Sequence, residues 1–154
     1  MPYNQLLLWA FTTKGTKESK AVQSKHLSPI APEVERAGKA VLDAAFKVHT
    51  DLGPGLLESV YEACTAFVLR ESGVRVETQV ALPVTYRDVR VEAGLRLDML
   101  IDGKVIVEFK AVETMIPLYD AQLLTYLKLT GIRLGYLLNF NVQHLKTGIK
   151  RLVL

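Results

Sequence analysis

Apolar residues recur at intervals of three and four in two stretches of the first half of the chain. In residues 32–51 the repeated positions are Val34, Val41, Ala45 and Val48. This spacing predicts a helix with one buried face, and Pro32 suits its first turn. The Gly-Pro-Gly sequence of residues 53–55 ends the helix, since proline cannot continue it. Similar spacing predicts a second helix over residues 56–72, ended by Gly73.

The pattern then changes to β-branched and apolar runs that are typical of strands. The predicted strands cover residues 74–87, 90–101, 104–111, 133–140 and 149–154. Pro83 indicates an edge strand or a break in the first of them, because proline has no N–H to donate. A third helix is predicted over residues 117–130, between the third and fourth strands. The order ααβββαβ, with a short last strand, predicts an α/β fold with a central mixed sheet flanked by helices.

Composition narrows the class of protein. The chain has 154 residues, of which 49% are hydrophobic and 23% are charged, so it can bury a core and is not a disordered chain. No apolar run reaches the roughly 18 residues that a membrane span needs. Cys64 is the only cysteine, which excludes an intrachain disulfide and a cysteine zinc site. We therefore expect a cytoplasmic protein.

The positive charge is confined to the start of the chain. Residues 1–31 hold four lysines and one glutamate, which account for the whole net charge of +3, whereas residues 32–154 are neutral. Residues 1–28 are polar and lack a sustained period, so they are predicted to be a poorly ordered basic extension. Residues 29–154 are predicted to form a single domain.

Ionisable residues interrupt the apolar hairpin that is predicted over residues 96–111. They are Asp98, Glu108 and Lys110, and burying a charge is costly unless it is paired or bound to a metal. Two close carboxylates repel unless a cation lies between them, and all-oxygen ligation suits Mg²⁺ or Mn²⁺. The three residues fit either a metal site for phosphodiester hydrolysis, with Lys110 stabilising negative charge, or a salt-bridged group at a sheet edge.

The register of the hairpin decides whether the carboxylates meet. A two-residue loop pairs Asp98 with Val107 and turns the carboxylates to opposite faces. A three-residue loop, residues 101–103, pairs Asp98 with Ile106 and makes Glu108 its diagonal neighbour on the same face. We expect the longer loop, with glycine as its left-handed residue.

Three motifs occur in order along the chain. The sequence GLLESVY at 55–61 fits the pattern GxxExxY, and residues 98–110 fit the D-x9-E-x-K part of the PD-(D/E)XK signature without its proline. The sequence AQLLTYL at 121–127 resembles the QxxxY motif. Together, over residues 34–154, the chain resembles the GxxExxY family, a branch of the PD-(D/E)XK nuclease superfamily. Asn141 departs from the family pattern, which has glycine there.

The resemblance implies a restriction-endonuclease-like core and a metal-dependent nuclease that hydrolyses phosphodiester bonds of nucleic acid, with DNA favoured over RNA. The implied catalytic residues are Glu58, Asp98, Glu108 and Lys110. The implied metal ligands are Asp98, Glu108 and Glu58, with Mg²⁺ or Mn²⁺ as the cofactor. The implied substrate-binding residues are Gln122 and Tyr126.

A second hypothesis is a catalytically silent module on the same fold that binds nucleic acid or protein. The neutral domain favours it, because nucleases usually present a basic groove. A local groove would reconcile the two hypotheses, and its candidate residues are Lys104, Lys110, Lys128, Arg133 and Lys146. A homodimer whose pairing builds the groove is a third possibility.

Overall fold

A mixed sheet of five strands forms the centre of the molecule, in the order β1-β2-β3-β4-β5. The computed structural model describes residues 28–154. The strands are β1 (Val76–Tyr86), β2 (Val89–Ile101), β3 (Val105–Lys110), β4 (Leu134–Asn139) and β5 (Ile149–Val153). The helices are α1 (Pro32–Leu52), α2 (Glu58–Glu71) and α3 (Pro117–Thr130), with a short 3₁₀-helix (Leu145–Gly148) before β5. Only β3 and β4 are parallel among the paired strands described.

The predicted α/β class, the mixed sheet and the order of elements are confirmed. The predicted basic extension falls almost entirely on residues 1–27, which lie outside the described residues, so its domain boundary stays a prediction. In residues 28–154 no helix is both long enough and apolar enough to cross a membrane.

Two hydrophobic cores lie on opposite faces of the sheet. In the first core α1 and α2 pack on the sheet, and the ring of Phe140 stacks on Tyr61 at a centroid distance of 4.4 Å and on Phe109 at 5.8 Å. In the second core α3 packs on the sheet through Leu123 and Leu127, which are fully buried. Helices on both faces are what a parallel pair at the centre of a sheet requires.

Helix α2 begins at Glu58, later than the predicted start at residue 56. The cause is the buried hydroxyl of Tyr61. It accepts a hydrogen bond from the Leu56 N–H at 3.0 Å and donates one to the Gly53 carbonyl at 2.7 Å. These bonds hold residues 53–57 as a fixed loop, and Glu58 becomes the first helical residue.

The turn between β2 and β3 has three residues, as expected, but they are Asp102, Gly103 and Lys104. The predicted loop, residues 101–103, is therefore wrong by one position. Ile101 pairs with Val105, and the Lys104 N–H donates to the Ile101 carbonyl at 2.8 Å. Both Asp102, with φ 51°, and Gly103, with φ 66°, have left-handed backbones, so aspartate as well as glycine makes this turn.

The long β1–β2 hairpin reverses its faces part-way along. Leu97 belongs to the second core and Met99 to the first, although residues two apart in a strand normally share a face. Strand β1 makes the same change between Val76 and Val80. Between them Gln79 has φ 54°, a left-handed conformation that is uncommon for residues other than glycine. The reversal places a strained residue beside Asp98.

The amide of Asn139, at the end of β4, fixes the chain that follows β3. Its Oδ1 accepts from the Val112 N–H at 3.1 Å, and its Nδ2 donates to the Val112 carbonyl at 2.9 Å. Asn139 is 2% exposed, so these bonds satisfy an otherwise buried polar group. Its own carbonyl oxygen lies against Gly148, where an added Cβ would come within 2.1 Å.

Candidate active site

Strand β2 leaves β3 at a fork, and two carboxylates occupy it. The last ladder pair is Met99 with Val107. Beyond it Asp98 Oδ2 accepts a hydrogen bond from the Phe109 N–H at 2.9 Å, and Glu108 Oε1 accepts one from the Asp98 N–H at 3.3 Å. Side-chain oxygens thus replace carbonyls as partners of the strand N–H groups. The shifted turn makes Asp98 and Glu108 direct neighbours across the fork. The expected pairing of Asp98 with Ile106, with Glu108 as the diagonal neighbour, is therefore wrong.

Glu58 reaches the fork from the first turn of α2. Its Oε1 accepts a hydrogen bond from the Ala111 N–H at 3.1 Å, immediately after β3. The fixed loop before α2, held by Tyr61, determines where the helix starts and therefore where Glu58 points. Three carboxylates from three elements are each held by a backbone N–H.

Lys110 follows Glu108 by two residues on β3. Its Nζ lies 5.1 Å from the centroid of the Tyr119 ring, within cation–π range. Its positive charge opposes the rise in pKa of both Asp98 and Glu108. The lysine therefore lies beside the two carboxylates and is positioned by an aromatic ring on α3.

Gln122 and Tyr126 face the fork from the other side of the sheet. Gln122 Nε2 donates to the Tyr126 hydroxyl at 2.8 Å. Burial raises the pKa of Tyr126, and the negative charges of Glu108 and Asp98 add to the rise. All six residues that the sequence predicted for the site therefore lie around one point of the sheet.

A cleft of about 530 Å³ opens beside the fork, between α2 and the β1–β2 hairpin. Its lining residues are Leu56, Leu57, Glu58, Ser59, Glu62, Gln79, Asp98 and Ala111. Gln79 Nε2 donates to both carboxylate oxygens of Glu62, at 2.9 and 2.8 Å. Neither Glu62 nor Gln79 was predicted from the sequence. Glu62 follows Glu58 by one helical turn, a spacing that could have identified it, whereas nothing in the sequence marks Gln79.

The fork disfavours two ionised carboxylates side by side. Burial, and then the charge of Asp98, raises the pKa of Glu108 from 4.5 to about 8. Burial also raises the pKa of Asp98, the charge of Glu58 adds to the rise, and the Phe109 N–H and Lys110 oppose it. Because Glu108 is only 2% exposed, water does little to relieve this charge.

The donor set fits a hard divalent cation. Among the hydrogen bonds of residues 28–154, Glu58, Asp98 and Glu108 each use one carboxylate oxygen, which leaves the other for a ligand. Carboxylate oxygens suit Mg²⁺ or Mn²⁺, and a cation would offset the excess charge. In this part of the chain no group of three or more His, Cys, Asp or Glu is close enough to form a complete metal site, so the fit depends on the Asp98–Glu108 pair.

The five basic residues proposed for a groove do not line one. Lys104 and Arg133 line a separate cleft, at the end of the sheet where β3 begins, and Lys146 lines another beside α1. Lys110 lies at the opposite end of β3 from Lys104. The described clefts therefore do not support a single groove lined by all five, since Lys104 and Lys110 lie at opposite ends of β3.

The raised pKa of Glu108 predicts the pH dependence of stability in the metal-free protein. A carboxyl group whose pKa is about 8 when folded and 4.5 when unfolded holds its proton more tightly in the folded state. The free energy of unfolding is therefore expected to fall between these two pH values, on the order of 1 kcal/mol per pH unit from this group. Urea unfolding with a chelator present, at pH 5, 6.5 and 8, measures the slope.

Glu108→Gln is the matched control, because it keeps the shape of the side chain and cannot titrate. Its slope between pH 5 and 8 is expected to be shallower than that of the native chain. Asp98 and Glu62, whose pKa values are also raised, are present in both proteins, so the difference in slope reports Glu108 together with its coupling to them. Equal slopes in the two proteins would show that Glu108 does not hold a proton in the fold.

Comparison with known proteins agrees with this geometry. The family model described as the PD-(D/E)XK nuclease superfamily matches residues 35–152. No curated protein and no solved structure matches the chain. The match covers both cores, the fork and the helices that supply Glu58, Gln122 and Tyr126. The chain belongs to the PD-(D/E)XK nuclease superfamily.

Proposed function

We propose that this protein is a metal-dependent nuclease that hydrolyses phosphodiester bonds of nucleic acid, and that it belongs to the GxxExxY branch of its superfamily. The observation that carries the proposal is the fork, where Asp98 and Glu108 face each other beside Lys110. A purely structural role would not require two buried carboxyl groups that cannot both ionise readily unless a cation is present. Membership of a nuclease superfamily supports the same chemistry.

Asp98 and Glu108 would hold a Mg²⁺ or Mn²⁺ ion, and Glu58 would bind it through a water molecule. When bound, the ion supplies positive charge for the phosphate and lowers the pKa of a bound water. The backbone N–H groups of Asp98, Phe109 and Ala111 keep the carboxylates in place, so the site is organised before substrate arrives.

Lys110 would act on the substrate itself. Its ammonium group can donate a hydrogen bond to a phosphate oxygen, or orient the attacking water. Tyr119 keeps the flexible lysine over its ring. Gln122 and Tyr126 would contact the substrate or orient the ligands from α3, on which their hydrogen bond fixes them together.

Metal removal tests the proposal. The native chain is expected to cleave a panel of DNA and RNA oligonucleotides with Mg²⁺ or Mn²⁺, to stop in the presence of a chelator, and to recover when the metal is restored. Calorimetry is expected to show that Asp98→Asn binds the metal about tenfold or more weakly, since a ligand is lost. Glu113→Gln alters an exposed carboxylate beyond β3 and is expected to leave both measurements unchanged.

A catalytically silent binding module is the second candidate. Two observations favour it: residues 28–154 carry no net charge, and no third acid is close enough to complete a metal site in them. A folded native chain that binds no metal and cleaves nothing would select this function. DNA as the preferred substrate, a homodimer and a cytoplasmic location stay predictions from the sequence.

A further inference from the structure

Two leucines lie exposed at the mouth of the cleft, immediately before Glu58. Leu57 is 73% exposed and Leu56 is 40% exposed. Both line the cleft together with Glu58 and Asp98. Exposed apolar side chains are common on protein surfaces when they occur singly, but a pair at the entrance of a charged site indicates a contact with a ligand.

The loop that carries these leucines is fixed. The Tyr61 hydroxyl binds the Leu56 N–H and the Gly53 carbonyl, and Glu58 binds the Ala111 N–H on the far side of the cleft. Leu57 is therefore held outward by the same contacts that place the carboxylate of the next residue. A rigid apolar group beside a polar site costs little conformational entropy when a ligand binds.

The charge of the molecule limits what can bind in this cleft. Glu58, Glu62 and Asp98 line it, and the described chain as a whole is neutral. Duplex nucleic acid is bound chiefly through phosphate contacts with basic residues, which this surface provides poorly. An unpaired nucleotide also offers the apolar face of its base, and contacts with that face do not depend on positive charge.

We propose that Leu57, supported by Leu56, contacts an unstacked base next to the scissile phosphate, so that the substrate is nucleic acid with unpaired nucleotides at the point of cleavage. This inference rests on the proposed nuclease function. Apolar side chains, leucine among them, insert between base steps of duplex DNA in other complexes, where they bind the apolar faces of partly unstacked bases. The cleft volume of about 530 Å³ lies in the range of sites for small ligands, and a single nucleotide belongs to that class.

Binding without cleavage tests the inference. The Glu108→Gln variant, which is expected to be inactive, serves as the parent, with Mg²⁺ present. The probe is an oligonucleotide that contains 2-aminopurine, used as a single strand and annealed to its complement. We expect the single strand to bind more tightly than the duplex. Leu57→Ser in the same parent is expected to weaken single-strand binding about fivefold or more, because an apolar contact is lost.

Phe67→Ser is the matched control. Phe67 is 61% exposed on α2, the helix that begins immediately after Leu57, and it lies nine residues from Glu58, away from the cleft. It is expected to bind both probes as the parent does. Binding that does not change in Leu57→Ser, a duplex that binds as tightly as the single strand, or no binding of either probe by the parent would overturn the inference.

Cleavage of the same oligonucleotides by the native chain separates the two proposals. No cleavage together with Leu57-dependent binding of single strands would overturn the nuclease function and retain the contact with an unpaired base. Cleavage together with binding that is indifferent to Leu57 would retain the nuclease and reject the contact.

Discussion

Glu108→Gln and Lys110→Met are each expected to reduce cleavage of nucleic acid by about 10³-fold or more while the protein stays folded. Glu108→Gln removes one carboxylate ligand from the Asp98–Glu108 pair. Lys110→Met removes the positive charge that would contact the phosphate. The two variants should differ in metal binding. Calorimetry is expected to show weaker Mg²⁺ binding in Glu108→Gln, because a ligand is lost, and equal or tighter binding in Lys110→Met, because a repelling cation is lost.

Lys104→Met is the matched control for Lys110→Met. Lys110 is the last residue of β3, whereas Lys104 immediately precedes the strand and is exposed in the turn at its other end. The control is expected to cleave at the rate of the native chain. Activity that survives in Glu108→Gln or Lys110→Met, measured on initial rates, would show that the fork is not the catalytic centre.

Gly148→Ala is expected to destabilise the fold strongly although it adds a single methyl group. The new Cβ would lie 2.1 Å from the carbonyl oxygen of Asn139, and backbone cannot move aside as a flexible side chain can. Asn139 in turn holds Val112, two residues beyond Lys110. We expect a loss of about 3 kcal/mol or more in the free energy of unfolding, at the upper end for overpacking, measured by urea unfolding at constant pH.

Gly103→Ala separates a steric clash from backbone strain. Gly103 has φ 66°, and nothing lies within 4 Å of its added Cβ. The Gly103→Ala variant is expected to lose about 1 kcal/mol in the free energy of unfolding, from the strain of the left-handed backbone alone. A Gly148→Ala protein as stable as Gly103→Ala would show that the strand end at Asn139 adapts without cost.

The hydrophobic pattern was sufficient to predict the class, the order of elements and most of their bounds. Helical spacing placed Val41 and Val48 on a buried face, and both belong to the first core. The spacing of Asp98, Glu108 and Lys110 was sufficient to propose the site, because ionisable residues in an apolar hairpin are costly unless they are paired or bind a metal. Glu58, Gln122 and Tyr126 came from the resemblance and not from periodicity.

Tertiary geometry was harder to predict. The turn lies one residue later than predicted because Asp102 adopts a left-handed backbone. The prediction had assigned this conformation to glycine alone. The start of α2 depended on the hydroxyl of Tyr61, which binds backbone groups five and eight residues away. Gln79 was not predicted because it lies where β1 and β2 reverse their faces. The spacing of polar residues along one strand does not reveal such a reversal.

The anchoring of the carboxylates also sets the order in which the site is completed as the chain is synthesised. Glu58 gains its N–H partner only when Ala111, 53 residues later, has emerged and β3 has paired. Asp98 gains its partner 11 residues later, at Phe109. A growing chain that has not yet reached β3 therefore contains Glu58 and Asp98 without the N–H partners that hold them in place. The arrangement that we propose for hydrolysis is therefore a product of the finished fold, and no fragment that ends before β3 can contain it.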